Sequence, residues 1–295
     1  MPARDLWLVL LICAAWALNF LASAKALTHF PALLFTAMRM GLVLLCLLPW
    51  LRPPPPGQWS RMLAVALLTN VVHFGLNFSA LQLAGDISSN AIVLQSYIPM
   101  AALLAWWLLG ERLRWRSSLA IAIAFAGVLV LGFDPVVLDA PLALVLCLLS
   151  ALTLAWGLVL MRQLAGVRAF QLQAWSALLG APLLFGASLL LDAPPGPFVQ
   201  HAEGIHWLGV VYSALGASLV GHGVLYVLVQ RHPVAQITPY LLLTPVLAVA
   251  LGVLVWGDRP GPRLWLGGAM VLVGVLVVAL RQRARALPVS EAPEI

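Results

Sequence analysis

The chain has 295 residues, 63% hydrophobic and 9% charged, with a mean hydropathy of +1.01. Water-soluble domains carry about a quarter charged residues, so this composition describes a membrane protein. The formal net charge of +6 does not point to nucleic acid, because the basic residues stand singly or in short clusters with no aromatic-basic stripe.

A membrane-crossing helix needs about 20 mostly apolar residues. Ten such runs follow one another, at about 6–23, 31–51, 61–83, 89–110, 117–133, 140–161, 169–191, 205–229, 235–256 and 263–280. The first follows a charged start, as a signal peptide does, with Ala22-Ser23-Ala24 as its one candidate cleavage site. It recurs in the second half of the chain, so it reads as a retained helix. The breaks carry turn chemistry or charge: Arg52 to Gly57, Gly85-Asp86, Asp192 to Gly196 and Arg231-His232-Pro233. Backbone polar groups in hydrocarbon must be bonded within their own segment, which favours helices. The alternating polarity of a membrane β-barrel is absent. The fold expected is therefore an all-α membrane protein of ten transmembrane helices.

Twelve arginines fall in the loops and termini of one side (Arg4, Arg52, Arg61, Arg112, Arg114, Arg116, Arg162, Arg168, Arg231, Arg281, Arg283 and Arg285). Lys25, Arg259 and Arg263 make three on the other. This bias places both termini in the cytoplasm. Trp7, Trp50, Trp59, Trp115, Trp207, Trp256 and Trp265 lie near run ends, as an interfacial aromatic belt requires. Cys13, Cys46 and Cys147 lie inside apolar stretches without metal-ligand spacing and read as small buried hydrophobes; no cofactor is expected.

The fourth and ninth runs match. Each has a proline near its start (Pro99, Pro245) and ends in Gly-acid-Arg (Gly110-Glu111-Arg112, Gly257-Asp258-Arg259). Gly127-Val-Leu-Val130 and Gly274-Val-Leu-Val277 follow, 147 positions apart, and Ala15-Trp16-Ala17-Leu18 is echoed 140 positions on by Ala155-Trp156-Gly157-Leu158. The chain is a duplication: residues 1–133 and 140–281 are two five-helix repeats, and 282–295 reads as a disordered cytoplasmic tail. Five is odd, so the copies lie in the membrane with opposite orientation. Such inverted repeats place a substrate site at their interface, near the midplane.

Polar groups inside the runs are the candidates for that site. Arg39 is too deep in the second run to be a loop residue, and a charge there faces the bundle interior or water. It can orient an anionic or carboxylate group, or fix packing by bonding carbonyls. Asn70, His73 and Asn77 share one helix face, as do Ser218, His222 and Tyr226. The two stripes are about one residue out of register, and each suits a shared polar cavity better than simple helix glue. Trp16, Asn19 and Ser23 share a face of the first run, and Trp156 repeats Trp16. Gln95 precedes Pro99 and Tyr240 precedes Pro245, where a proline frees a carbonyl and permits a kink. Lys25 reads as snorkelling to the interface. Glu111-Arg112 and Asp258-Arg259 read as ion pairs that fix helix ends.

Ala15-Trp16-Ala17-Leu18-Asn19-Phe20, Lys25, Arg39 and the two Gly-acid-Arg endings together resemble the drug/metabolite transporter superfamily, in its EamA-type branch. Within the branch the resemblance is nearest to bacterial inner-membrane exporters of O-acetylserine and cysteine. It covers both halves and implies ten helices and efflux of small amino-acid-like metabolites, with cargo that varies widely across the branch.

No Asp or Glu lies inside any run. Arginine in place of a buried carboxylate favours zwitterionic, anionic or neutral cargo, and leaves His73 and His222 as the obvious proton carriers. Uncoupled, gradient-driven efflux is the alternative. A rival class, an intramembrane hydrolase, would rest on Ser218 with His222 one turn on, a poor dyad without a third group. The expected function is export of amino acids or their derivatives across the bacterial inner membrane by alternating access. The partners are a small-molecule substrate and the lipid bilayer, without nucleic acid; the oligomeric state is open, and a monomer would suffice. The cavity is expected between the first, third, fourth, sixth, eighth and ninth runs.

Overall fold

A computed structural model describes residues 3–111, 114–232 and 234–286. Among these residues there is no strand, and ten helical spans are long and apolar enough to cross a membrane. They are α1 (Ala3–Leu27), α2 (Ala32–Trp50), α3 (Trp59–Ala84), α4 (Ile87–Leu109), α5 (Trp115–Gly132), α6 (Pro141–Met161), α7 (Ala169–Leu191), α8 (Gly204–Leu225), α9 (Ile237–Trp256) and α10 (Pro262–Arg281). The helix of α10 runs on to Ala286, into the stretch read above as a disordered tail, because Arg281 to Ala286 are all good helix formers. The rest of that tail, 287–295, lies outside the described residues.

The ends of α4 and α9 repeat in atomic detail. Gly110 and Gly257 adopt left-handed φ values of 68° and 90°. The next residue then bonds six positions back, Glu111 N to Ala105 O and Asp258 N to Gly252 O. This is the glycine C-cap that satisfies the last helical carbonyls. Both helices are also broken before their prolines. The helical segments Ile87–Leu94 and Tyr97–Leu109 make α4, and Val234–Leu241 and Leu243–Leu251 meet in the same way in α9. A proline lacks the N–H that would bond the fourth residue back, which puts each break three or four residues upstream of the ring.

Packing follows the duplication. Two extensive helix pairs, α5 with α10 and α2 with α7, each set a helix against its own copy. The remaining contacts come in matched sets: α3 with α6 answers α8 with α1, and α4 with α6 answers α9 with α1. Gly-Val-Leu-Val is the α5–α10 seam. A Cβ on Gly127 would lie 2.6 Å from the carbonyl oxygen of Gly267, and one on Gly274 2.6 Å from that of Ala120. Gly127 and Gly274, and likewise Ala120 and Gly267, are 147 positions apart, so the two contacts are one contact made twice across a pseudo-two-fold axis. Small residues at such crossings let backbones approach closely, the main source of helix association where water gives no drive.

The start of α1 and the end of α10 lie at one end of the bundle, here the terminal face. There Arg162 pairs with Glu111 at 2.7 Å and Asp5 takes Arg231 and His232 at 3.2 and 2.6 Å. Glu111 thus reaches across to the α6–α7 loop, while Arg112 lies outside the described residues. At the opposite face the two halves are knitted together. Trp256 Nε1 donates to Gly85 O, Arg263 to Phe133 O and Leu264 N to Asp134. His29 bonds Phe198 O at 2.7 Å and stacks on His206 at 4.7 Å.

Candidate functional site

Arg39 occupies the interior. Only 1% of its surface is exposed, and its Nε and one terminal nitrogen donate to Ser218 Oγ at 3.2 and 2.9 Å. The guanidinium lies 4.0 Å from the Phe74 ring centre and 5.4 Å from that of Phe78. The aromatic faces are partially negative and stand where a carboxylate counter-ion would otherwise be needed. Arg39 has no described carboxylate partner, and its Nη1 is buried without any hydrogen-bond acceptor. A buried donor of this kind is costly unless something fills it.

α8 is built to receive that arginine. Ser213–Gly221 forms a π-helix, and α3 carries one at Leu67–Val72. The two start 146 positions apart, so this feature too is duplicated. The wider π turn shifts its carbonyls, and side chains take them up. Ser218 Oγ donates to Ser213 O, Gln173 donates to Ser218 O, and Ala217 O accepts from Trp16 Nε1 at 3.2 Å and from His222 Nδ1 at 3.1 Å. Only a glycine at 221 admits the indole: an added Cβ would stand 2.5 Å from Trp16 Nε1. π segments insert a residue into helical register and cluster at functional sites. The two here have unequal lengths, six and nine residues.

Around this core, His73 is buried with Nδ1 2.7 Å from Ser150 Oγ, and that hydroxyl donates to His73 O, fixing α3 to α6. The His222 ring lies 5.3 Å from that of Trp16 and keeps an exposed edge. Asn77 accepts from Asn90 of α4 at 3.2 Å, and Asn90 Oδ1 is a second buried atom without a partner. Asn70 donates to Thr69 and to Ser176 of α7.

The structure thus brings together Trp16, Arg39, His73, Ser218 and His222, with Asn70 and Asn77 one turn to either side on α3. Asn19 stays local, accepting from Ser23 on its own helix. Gln95 is buried at the break in α4. Trp156 is 41% exposed on the outside of the bundle and does not stand as the counterpart of Trp16. Tyr240 is 39% exposed, with its carbonyl facing Cys13. The Tyr226 side chain lies outside the described residues. The described interior site therefore draws on α2 and α7 rather than α9. Phe74, Ser150 and Gln173 were not singled out in the sequence. Phe74 and Phe78 are spaced i, i+4 in a long, largely apolar run where two phenylalanines carry no signal of their own, and Ser150 looks like a small packing residue. Ser218 and His222 make no dyad, since the hydroxyl proton goes to Ser213 O and the imidazole to Ala217 O.

Asp258 departs from the ion pair expected of Gly-Asp-Arg. Its carboxylate is turned inward and accepts from Ser88 N at 2.8 Å and Ser88 Oγ at 2.6 Å. The free N–H groups at the start of α4 draw it there.

A bundle of two matched five-span halves, with an unneutralised arginine in a polar cluster between them, defines a class: the membrane transporters built from an internal duplication. The pattern of the EamA-like transporter family matches residues 4–133 and 141–280, and the chain belongs to that family. Among similar proteins, one from Escherichia coli (strain K12) named "Probable amino-acid metabolite efflux pump" is 28% identical over 287 residues, covering 94% of this chain and 95% of that protein. A Salmonella typhimurium protein of the same name is 26% identical over 301 residues (97% and 98%). An uncharacterized Pseudomonas aeruginosa protein is 31% identical over 294 residues (96% and 97%). One crystal structure, 21% identical, shares the fold with a TM-score of 0.64 over 97% of this chain and 99% of that one.

Proposed function

We propose that the chain is an exporter, not an enzyme, and that it carries small amino-acid metabolites out of the bacterial cytoplasm across the inner membrane by alternating access. The observation that carries the reading is Arg39, buried between the two halves with a donor left over. A cargo carboxylate supplies the missing acceptor, and a guanidinium binds such a group with directional hydrogen bonds. His73, Asn77, Ser218 and His222 offer neutral polar contacts for the rest of a zwitterion, and Trp16 gives it an apolar wall. The absence of acids from the membrane runs disfavours cationic cargo. The excess of arginine at the terminal face orients that face to the cytoplasm. The names of the Escherichia coli and Salmonella relatives support the cargo class.

Alternation follows from the duplication: one half rocks against the other about the α5–α10 and α2–α7 seams, exposing the interior to each side in turn. The test is flux from proteoliposomes loaded with zwitterionic amino-acid metabolites, with cationic and sugar controls, in the presence and absence of a pH gradient. Zwitterions are expected to move and the controls to stay. Failure of every zwitterion to move would end the reading.

A further inference from the structure

At the opposite face two carboxylates from different halves meet on one helix start. Asp86 caps α4, with Oδ1 3.3 Å from Ser88 N and Oδ2 2.8 Å from Ser89 N. Asp258, from the α9–α10 turn, takes the same Ser88 N at 2.8 Å and its hydroxyl at 2.6 Å. Asp86 is 6% exposed and Asp258 9%. Gly252 leaves the room: an added Cβ would stand 2.6 Å from Ser88 Oγ and against Asp258 Oδ2. Two oxygens that converge on a single N–H, away from water, cannot both stay charged at low cost, and a proton shared between them removes the repulsion.

The surroundings supply little competing charge. On the elements packed against the pair, the described ionisable groups are Arg259 beside Asp258, Lys25 at the end of α1, and Arg263, Asp134 and Asp139 near the start of α10 and the α5–α6 turn. Arg263 is spent on Phe133 O and Asp134 on Leu264 N. No described salt bridge reaches either carboxylate.

We propose that Asp86 and Asp258 form a proton-binding latch between the halves, holding the opposite face shut while they share a proton and releasing it when the proton leaves to the solution on that side. The proposal rests on the alternating-access reading. In the shut state burial, then the hydrogen bond to Asp258, raises the pKa of Asp86; in the open state Asp86 meets water and its ordinary carboxylate value returns. The sign follows. The shut state holds the proton more tightly, so its advantage is complete at low pH and is lost as pH rises. The open-to-shut ratio should grow about tenfold between pH 5 and pH 8.

The test is a spin-label distance between Leu83 and Leu254, exposed positions near the opposite-face ends of α3 and α9, in the full chain with its three cysteines replaced, reconstituted in liposomes. The long-distance population is expected to grow from pH 5 to pH 8. In Asp258→Asn it should stay small at every pH, because the amide oxygen keeps the Ser88 contact without a charge. Asp86→Asn, which retains capping ability, is the second variant and should lose the same pH response. A wild-type distribution that ignores pH, or an unchanged response in both variants, overturns the latch. If two distances are populated without pH response, alternation survives the latch. A single distance together with no zwitterion flux ends both.

Discussion

Adding one methyl group at Gly127 tests the α5–α10 seam directly. The Cβ of Gly127→Ala would meet Gly267 O at 2.6 Å, Met270 Cβ at 2.8 Å and Val271 N at 2.8 Å. Two of these three atoms are backbone and cannot swing aside, so the helices must part by about half an ångström, at a cost of about 1–3 kcal/mol for overpacking. Alanine recovers up to about 1 kcal/mol of helix propensity. With the full recovery the net loss is up to about 2 kcal/mol, as much as roughly 30-fold in the folding equilibrium. Gly274→Ala meets the same geometry against Ala120 O at 2.6 Å and should lose a similar amount. Gly41→Ala is the control, since nothing lies within 4 Å of its added Cβ and only the propensity gain remains. Reversible unfolding of the purified protein in mixed micelles measures all three. Gly127→Ala and Gly274→Ala variants as stable as Gly41→Ala would refute the shared-axis packing.

Arg39→Ala should lower zwitterion efflux at least about tenfold, the loss of one charge-assisted hydrogen bond, with Arg39→Lys between it and the wild type because lysine keeps the charge without the fork; initial rates in proteoliposomes decide. Glu111→Gln should change stability by under about 1 kcal/mol, since its pairing with Arg162 is solvent-exposed on both sides; a larger shift in the same unfolding assay would contradict a surface role. The pKa of Asp86 is raised to about 6 by burial and then by Asp258. Its contribution to thermal stability should therefore be fully present below the usual carboxylate range and lost as pH rises through about 6. Melting curves from pH 4 to pH 8 should show that decline in the wild type and a flatter profile in Asp86→Asn.

The fold was legible because its determinants are local. Run length, turn chemistry and the Gly-acid-Arg and Gly-Val-Leu-Val repeats each state a span, its end and its copy without tertiary knowledge. Arg39 was legible for the same reason, a charge where only apolar residues belong. The partners of these groups were not. Phe74 and Ser150 acquire meaning only once α2 and α6 are laid beside α3, and in a chain this apolar nothing marks one phenylalanine from the next. Trp156 misled because sequence repeats preserve residues but not surroundings: α6 turns that face outward while α1 turns Trp16 against α8. Asp258 misled in the other direction. Its neighbour Arg259 suggested a pair, whereas the unpaired N–H groups of α4, 170 positions away at Ser88, offered the stronger partner.

The paired π turns have a consequence for how this chain tolerates change. A π segment holds one residue more than an α-helix needs for the same advance, so a single-codon deletion within Leu67–Val72 or Ser213–Gly221 could be absorbed without breaking the helix. Everything beyond it would keep its facing, because the residue lost is the one the wide turn had taken up. The same deletion in the regular α-helical part of either span has no such slack and would turn everything beyond it by about 100°. The π turns are thus the places where α3 and α8 can lose a residue and still hold His73 and His222, which follow them, toward the interior.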